Sequence, residues 1–349
     1  MYYAGKTESI RDIFGASSVS LVPGGINVDG RSYPVVDDVI ILLEPSLLPA
    51  SVRKRIGEAP AGGAPAPAER PAPAAFAQDI QHTFGEEWQR FPELLPEHRE
   101  EFLQYFDLVD IGGLAGKRVC DLGCGIGRWS HFLKGACREL VLVDFSEAVF
   151  VARRNLAAAD NVIYFLGDLT ALPFRDDFAD FLFCLGVLHH LPTDALGEVR
   201  ALARRSPALL VFLYYALDNR PAHWRAILSI VTRLRLLLSK VRSPAARSGA
   251  TWLLALGVYL PMVGIGRAVR PLGLSRFIPL HDFYRGKSVL RIRQDVYDRF
   301  FTRIEQRFSR RQIRSLADTF DEVVVSEHPP YWHFLCLRDG VARHKASRI

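Results

Sequence analysis

Residues 117–128 read Lys-Arg-Val-Cys-Asp-Leu-Gly-Cys-Gly-Ile-Gly-Arg. An apolar run ends in an acid, Asp121. Gly123, Gly125 and Gly127 follow at alternate positions, and a helix-like segment, 128–133, comes next. Strand, glycine loop and helix together let a ligand lie against bare backbone at a helix N-terminus. The spacing is G-x-G-x-G and not the G-x-G-x-x-G of a dinucleotide fingerprint. The loop alone therefore leaves its ligand open. The next hundred residues have to supply the rest of a nucleoside site.

Those residues alternate. Strands are predicted at Arg118–Leu122, Glu139–Asp144, 161–166, 178–185 and 208–214, with helices at about 128–136, 146–157 and 193–204. Alternation at these lengths predicts an α/β fold, a Rossmann-like, doubly wound and mostly parallel sheet. Such sheets bind ligands at the carboxyl ends of their strands, near the topological switch point. Each predicted strand ends in suitable residues. The second ends in Asp144, whose carboxylate suits ribose hydroxyls, followed by Phe145 and the helix-capping Ser146. The third runs into Asp168 and Leu169, an acceptor for an exocyclic amine beside an apolar side chain. The fourth passes from Leu185 into His189 and His190, where backbone and apolar groups could line a pocket. A lone aspartate more often caps a loop. The ordered set at successive strand ends argues for a site.

At this point the chain resembles the class I S-adenosylmethionine-dependent methyltransferases, of the methyltransferase type 11 kind. The residues that carry the resemblance are Val119-Cys-Asp-Leu-Gly-Cys-Gly-Ile-Gly127, Val143-Asp-Phe-Ser146, Gly167-Asp-Leu169 with Leu172-Pro-Phe174, and Gly186-Val-Leu-His-His-Leu191. It is close over about 115–215 and looser to Arg338. The resemblance implies S-adenosyl-L-methionine as cofactor. Asp121, Gly123, Gly125 and Gly127 would hold its amino-acid end, Asp144 the ribose, and Asp168 with Leu169 the adenine. Phe145 and Leu185 belong to the same strand ends. His189 and His190 are the candidates for a general base, needed only if an oxygen or activated carbon attacks. Their ordinary role would be packing and capping. The segment 300–337 resembles the end of such a domain, with a helix from Ser309 into Phe320 and strands at 322–326 and 331–337.

Ahead of this domain, residues 1–58 read as a small β-rich cap, with Asp29-Gly30 as a hairpin turn between β-branched runs. Gly30, Tyr33-Pro-Val-Val36 and the apolar run before Pro45 resemble the zinc-ribbon-like domain that accompanies some methyltransferases. Its cysteine pairs are absent, because the first cysteine is Cys120. A metal-free cap is expected. Residues 59–76, rich in proline and alanine, read as a semi-extended linker, and 77–349 as the methyltransferase domain. Within its lead-in, Phe102, Tyr105, Phe106 and Val109 share helical spacing and read as a helix packed on that domain. Trp88 is a candidate cover for the ligand pocket.

The five cysteines, Cys120, Cys124, Cys137, Cys184 and Cys336, include no C-x-x-C pair. They read as free thiols in a reducing compartment, with no metal site. The N-terminus lacks a basic-then-apolar signal pattern, so a cytoplasmic protein is expected.

The mildly basic net charge of +6 is not spread evenly. Residues 216–296 hold fourteen Lys and Arg against three Asp and no Glu, a local excess of +11. Two apolar runs, 227–238 and 252–265, are woven through this basic helical insert. The second is shorter than about 18 residues and contains Pro261, so a simple membrane span is not expected. The insert reads as a lid over the substrate, as a peripheral membrane surface through 222–293, or as a nucleic-acid surface. Nucleic acid is disfavoured, since no aromatic stacking module accompanies the charge. The expected acceptor is small or amphipathic, including a lipid-linked molecule. An RNA methyltransferase and a non-catalytic cofactor-binding scaffold are the alternatives. The insert could equally pack against a second subunit, and the oligomeric state is left open.

Overall fold

The computed structural model describes residues 2–57, 85, 90–220, 222–241 and 243–340. The linker expected at 59–76 and the pocket cover considered for Trp88 lie outside the described residues. The chain divides into two compact units, Met1–Tyr214 with Arg310–Ile349, and Tyr215–Ser309.

The first unit is built on one sheet. Its strands are β1 (Val19–Val22), β2 (Gly25–Val28), β3 (Arg31–Val36), β4 (Val39–Ile41), β5 (Arg118–Leu122), β6 (Glu139–Asp144), β7 (Val162–Leu166), β8 (Phe181–Leu185), β9 (Ala208–Phe212), β10 (Glu322–Val325) and β11 (His333–Leu337). They lie side by side in the order β1-β2-β3-β4-β7-β6-β5-β8-β9-β11-β10. From β4 to β9 neighbours are parallel, and β11 then β10 close that edge antiparallel. This is the Rossmann-like, mostly parallel α/β sheet that the alternation predicts. Every residue of β5 to β9 is buried. That explains why these strands read as near-continuous apolar runs and not as alternating ones. The chain leaves β5 for β6 on one side and reaches β8 on the other, so the crevice at their carboxyl ends is the switch point.

Helices α1 (Thr7–Phe14), α2 (Ala50–Ile56), α3 (Glu97–Tyr105), α4 (Ser130–Leu133), α5 (Ala148–Asn155) and α6 (Ala195–Leu202) complete most of this unit. The helix predicted over 128–136 shrinks to the four residues of α4. In the lead-in helix α3, Phe102 stacks on Phe106 with ring centroids 4.4 Å apart, and both rings are buried.

The separate cap expected over 1–58 does not form. Asp29 and Gly30, with φ of 47° and 86°, make the tight turn between β2 and β3. β4 then pairs in parallel with β7, Val39 beside Tyr164 and Ile41 beside Leu166. The physical reason is the sequence of β7, Val-Ile-Tyr-Phe-Leu, which buries every side chain and would be a liability as an open edge. Side chains tie the N-terminus to the same strand. The Tyr2 hydroxyl donates to the Val162 carbonyl at 2.7 Å, and the Lys6 ammonium donates to that oxygen at 2.9 Å. From α1, Asp12 pairs with the buried Arg118 of β5 at 2.5 Å.

The second unit is helical: α7 (Ala222–Leu238), α8 (Pro244–Leu254), α9 (Leu260–Ala268), α10 (His281–Tyr284) and α11 (Val289–Phe301). It runs from Tyr215 to Ser309. It is therefore longer than the 216–296 insert expected, and it takes Phe300 away from the tail to which that residue was assigned. Ile292, Val296, Tyr297, Phe300 and Phe301 of α11 are buried, which explains the assignment. A π-turn, Ala255–Tyr259, joins α8 to α9, so Pro244–Ala268 is one 25-residue helix, long and apolar enough by length and composition to cross a membrane. The argument from length and Pro261 against a span is overturned. The π-turn ends at Tyr259, with Leu260 between it and Pro261, which has no N–H to give, and helical residues continue on both sides. After this unit, α12 (Arg310–Arg314) returns the chain to the sheet at β10.

Candidate functional site

The glycine loop takes the shape its spacing suggests. Gly123, Gly125 and Gly127 all have positive φ, 77°, 52° and 74°. A Cβ on Gly123 would stand 2.3 Å from Val187 Cγ2, and one on Gly127 would meet Leu156 and Ala152 at 3.0 and 3.1 Å. Conformation and close packing both require glycine at those two positions. The amides of Gly123 and Cys124 both donate to the Val143 carbonyl at 2.8 and 3.1 Å, which fastens the loop to the end of β6. Asn155 of α5 adds a tie that sequence reasoning missed, its amide donating at 3.0 Å to the Ile126 carbonyl and also to that of Pro92.

Asp121 and Asp144 stand at the ends of adjacent strands, and both are buried. Asp121 accepts the Ser130 hydroxyl at 2.7 Å, which joins β5 to α4. Burial pushes its carboxyl up to about 7. The Ser130 hydrogen bond opposes that shift and the Asp144 charge adds to it. Asp144 is likewise raised by burial, against the hydrogen bonds it accepts. Its Oδ2 accepts the Gly125 amide at 2.8 Å, and its Oδ1 accepts the Ser146 amide and hydroxyl at 2.8 and 2.7 Å. Asp144 thus holds the glycine loop as well as the start of α5. Phe145, beside it, is half-buried.

Asp168 sits past the end of β7, and Oδ1 accepts the amide and hydroxyl of Thr170 at 2.8 and 2.7 Å. The loop-capping role is therefore real. Only one carboxylate oxygen makes those bonds; among the described residues Oδ2 accepts none. Leu169 is half-buried and Leu185, the last residue of β8, is buried.

His189 and His190 lie in a 3-10 turn, Leu188–His190, just past β8. Both are buried inside an aromatic cluster. The ring of His189 stacks on Tyr214 with centroids 4.0 Å apart, and His190 lies 4.2 Å from His189. At the neighbouring strand ends Tyr105 packs against Trp129 and Phe212, at 5.1 and 5.2 Å, and approaches His333 at 6.1 Å. His333 Nε2 meets Asp107 Oδ1 at 2.6 Å, and the other oxygen of Asp107 accepts the Ser326 hydroxyl at 2.8 Å. Sequence reasoning had placed Tyr105 in a packing helix and named neither Asp107 nor His333. Their contact spans 226 positions, and no local pattern announces it.

The structure therefore bonds Gly125 directly to Asp144 and Gly123 to the neighbouring Val143 carbonyl, with Gly127 closing the loop on the Cys124 carbonyl and Asp121, bonded to Ser130, on the adjacent strand. Phe145, Asp168, Leu169, Leu185, His189 and His190 stand at the carboxyl ends of the neighbouring strands. Among the described residues no three His, Cys, Asp or Glu side chains gather as a metal-binding group. Cys120 and Cys124 are buried free thiols, and burial raises both well above the ordinary thiol range.

Residues 119–206, from β5 to the turn before β9, match the family model described as a methyltransferase domain. The demethylmenaquinone methyltransferase of Clavibacter sepedonicus is 41% identical over 71 residues, 20% of this chain and 29% of that protein. The ubiquinone biosynthesis O-methyltransferase of Pseudomonas aeruginosa strain LESB58 is 29% identical over 154 residues, 43% of this chain and 66% of that protein. Its namesake from Aromatoleum aromaticum is 33% identical over 156 residues, 43% of this chain and 65% of its own length. The chain thus spans less than two thirds of the length of each of these relatives.

Proposed function

We propose that the chain is an S-adenosyl-L-methionine-dependent methyltransferase whose acceptor is a small or amphipathic molecule, including a lipid-linked one. The observation that carries this reading is the glycine loop of β5, pinned through Gly125 to the acid of β6, within the segment that matches a methyltransferase domain. The residues fit the cofactor. Three glycines present bare backbone, two buried acids stand at adjacent strand ends, and Asp168 has an oxygen to spare for an amine. The quinone-methylating names of the relatives support the acceptor class.

In this reading Asp121 and the amides of Gly123 to Gly127 hold the amino-acid end of the cofactor. Asp144 accepts from the ribose, with Phe145 beside it. Asp168 accepts from the adenine amine, with Leu169 against the ring. Leu185 lines the approach to the methyl group. The cofactor supplies a methyl already activated on sulfonium sulfur. The protein's part is alignment and exclusion of water. His189 and His190 are the candidate general bases if an acceptor hydroxyl must lose a proton.

Calorimetry with S-adenosylmethionine tests the cofactor. Absence of binding, or undiminished binding by Asp144→Ala, sinks the assignment. Transfer of labelled methyl into extract fractions then tests the acceptor. Label in lipid or small-molecule pools supports it, label in RNA overturns the acceptor class, and none in any pool points to a scaffold.

A further inference from the structure

Beside its apolar core of Tyr259, Val263, Ile292, Val296 and Phe301, the helical unit Tyr215–Ser309 buries cations and exposes leucines. On an ordinary surface helix the apolar stripe faces the core and the charged face meets water. Here α7 buries an arginine, Arg235, at 5% exposure, where it donates to the Thr302 carbonyl at 2.9 Å. The same helix exposes Ile230 and Leu237 at 65% and 64%. The helix Pro244–Ala268 also buries a cation, beside the apolar Ala255, Tyr259 and Val263. Arg247 and Thr251 are buried, Arg247 donating to the Tyr297 hydroxyl at 3.3 Å. Outward stand Trp252, Leu253 at 74% and Leu256 at 52%. From Ser248 to Gly266 this helix carries no charged residue at all. Isolated surface leucines are unremarkable, but two helices that bury cations and each expose several large apolar side chains present uncovered apolar faces, and such faces mark an interaction.

What covers these faces is indicated by charge. Residues 216–296 carry an excess of +11, and although Arg235, Arg247 and Arg291 are buried, the exposed Arg233, Lys240, Arg267 and Arg270 lie on or beside the apolar helices. A soluble apolar partner gains nothing from such flanks. A bilayer with anionic headgroups is apolar below and negative above, which is the pairing the two helices present.

We propose that α7 and the helix Pro244–Ala268 lie on the surface of an anionic lipid bilayer, with Leu237, Trp252, Leu253 and Leu256 entering the acyl region and the flanking cations among the headgroups. This docking rests on the second unit alone and needs no cofactor, so its failure and that of the methyl-transfer reading are separately visible.

The test uses the full chain with vesicles of phosphatidylcholine alone and of phosphatidylcholine mixed with phosphatidylglycerol. Co-sedimentation on the mixed vesicles is expected, weaker on neutral ones and falling as salt rises. Brominated acyl chains should quench fluorescence of the wild type, and Trp252→Phe should remove most of that quenching. Leu237→Glu with Leu253→Glu should lower vesicle binding by about tenfold or more, and their exposure makes it a change that leaves the core intact. No binding to the mixed vesicles, or quenching unaltered in Trp252→Phe, overturns the proposal. So does resistance to alkaline extraction, which would mark a spanning helix, or a dimer that the Leu→Glu pair dissolves.

Discussion

Asp144 Oδ2 accepts the backbone N–H of Gly125 at 2.8 Å, so the end of β6 holds the middle of the β5 glycine loop. One carboxylate therefore shapes the loop and, on the proposed reading, meets the ribose. Asp144→Ala leaves the buried Gly125 amide without its acceptor. A lost hydrogen bond to a charged group costs about 1.5–3 kcal/mol. The variant should unfold at lower denaturant and bind S-adenosylmethionine about tenfold or more weakly. Urea unfolding and calorimetry measure the two effects. Full stability with full affinity would show that neither role is real.

Gly123 tests the loop from the other side. Its φ of 77° disfavours any side chain, and a Cβ would lie 2.3 Å from Val187 Cγ2. Gly123→Ala adds left-handed strain to overpacking, together about 2–4 kcal/mol. Trimming the obstacle in Gly123→Ala/Val187→Ala should recover the packing share and leave the backbone share. Thermal unfolding of the two variants separates them.

The sheet was legible because β5 to β9 are buried on both faces and so read as apolar runs bounded by loop residues. Asp121, Asp144 and Asp168 were singled out because such sheets bind ligands at their strand ends, and the positions of all three at or just past the ends of β5, β6 and β7 were legible from the apolar runs that precede them. The strands β1 to β4 were misread as a separate cap because nothing local shows that Val39 pairs beside Tyr164. The helix Pro244–Ala268 was misread because a π-turn before Pro261 let it continue where proline signals a stop. Asp107 and His333 escaped notice because two single residues at the ends of distant elements leave no pattern.

Asp168 is expected to confer base preference. Its Oδ1 is committed to Thr170, and Oδ2 is left to accept an amine. An inosine analogue of the cofactor carries an oxygen where adenine carries its amino group. Wild type should bind it more weakly by about 1–3 kcal/mol, the penalty for facing acceptor with acceptor. Asp168→Ala should bind both forms nearly alike. Competition calorimetry reads the difference, and an unchanged preference in the variant removes Asp168 from the adenine site.

On the proposed reading, Asp121 should make stability and cofactor affinity depend on pH in opposite directions. Burial holds its folded carboxyl near 7 against 3.8 unfolded. Between those values the folded state keeps a proton that the unfolded state has released, so stability falls as pH rises through this window and levels off above about 7. The full difference is about 4 kcal/mol, and Asp121→Asn should flatten the slope. The ionised carboxylate is the form that attracts an ammonium group. If Asp121 holds the amino-acid end of S-adenosylmethionine, binding below pH 7 must drive off its proton, and affinity should climb by up to about tenfold per pH unit before reaching a plateau. Calorimetry in buffers of differing ionisation enthalpy counts the released proton directly. Release of about one proton at pH 6 in wild type and none in Asp121→Asn is the expected result, and equal release in both would place the ammonium elsewhere.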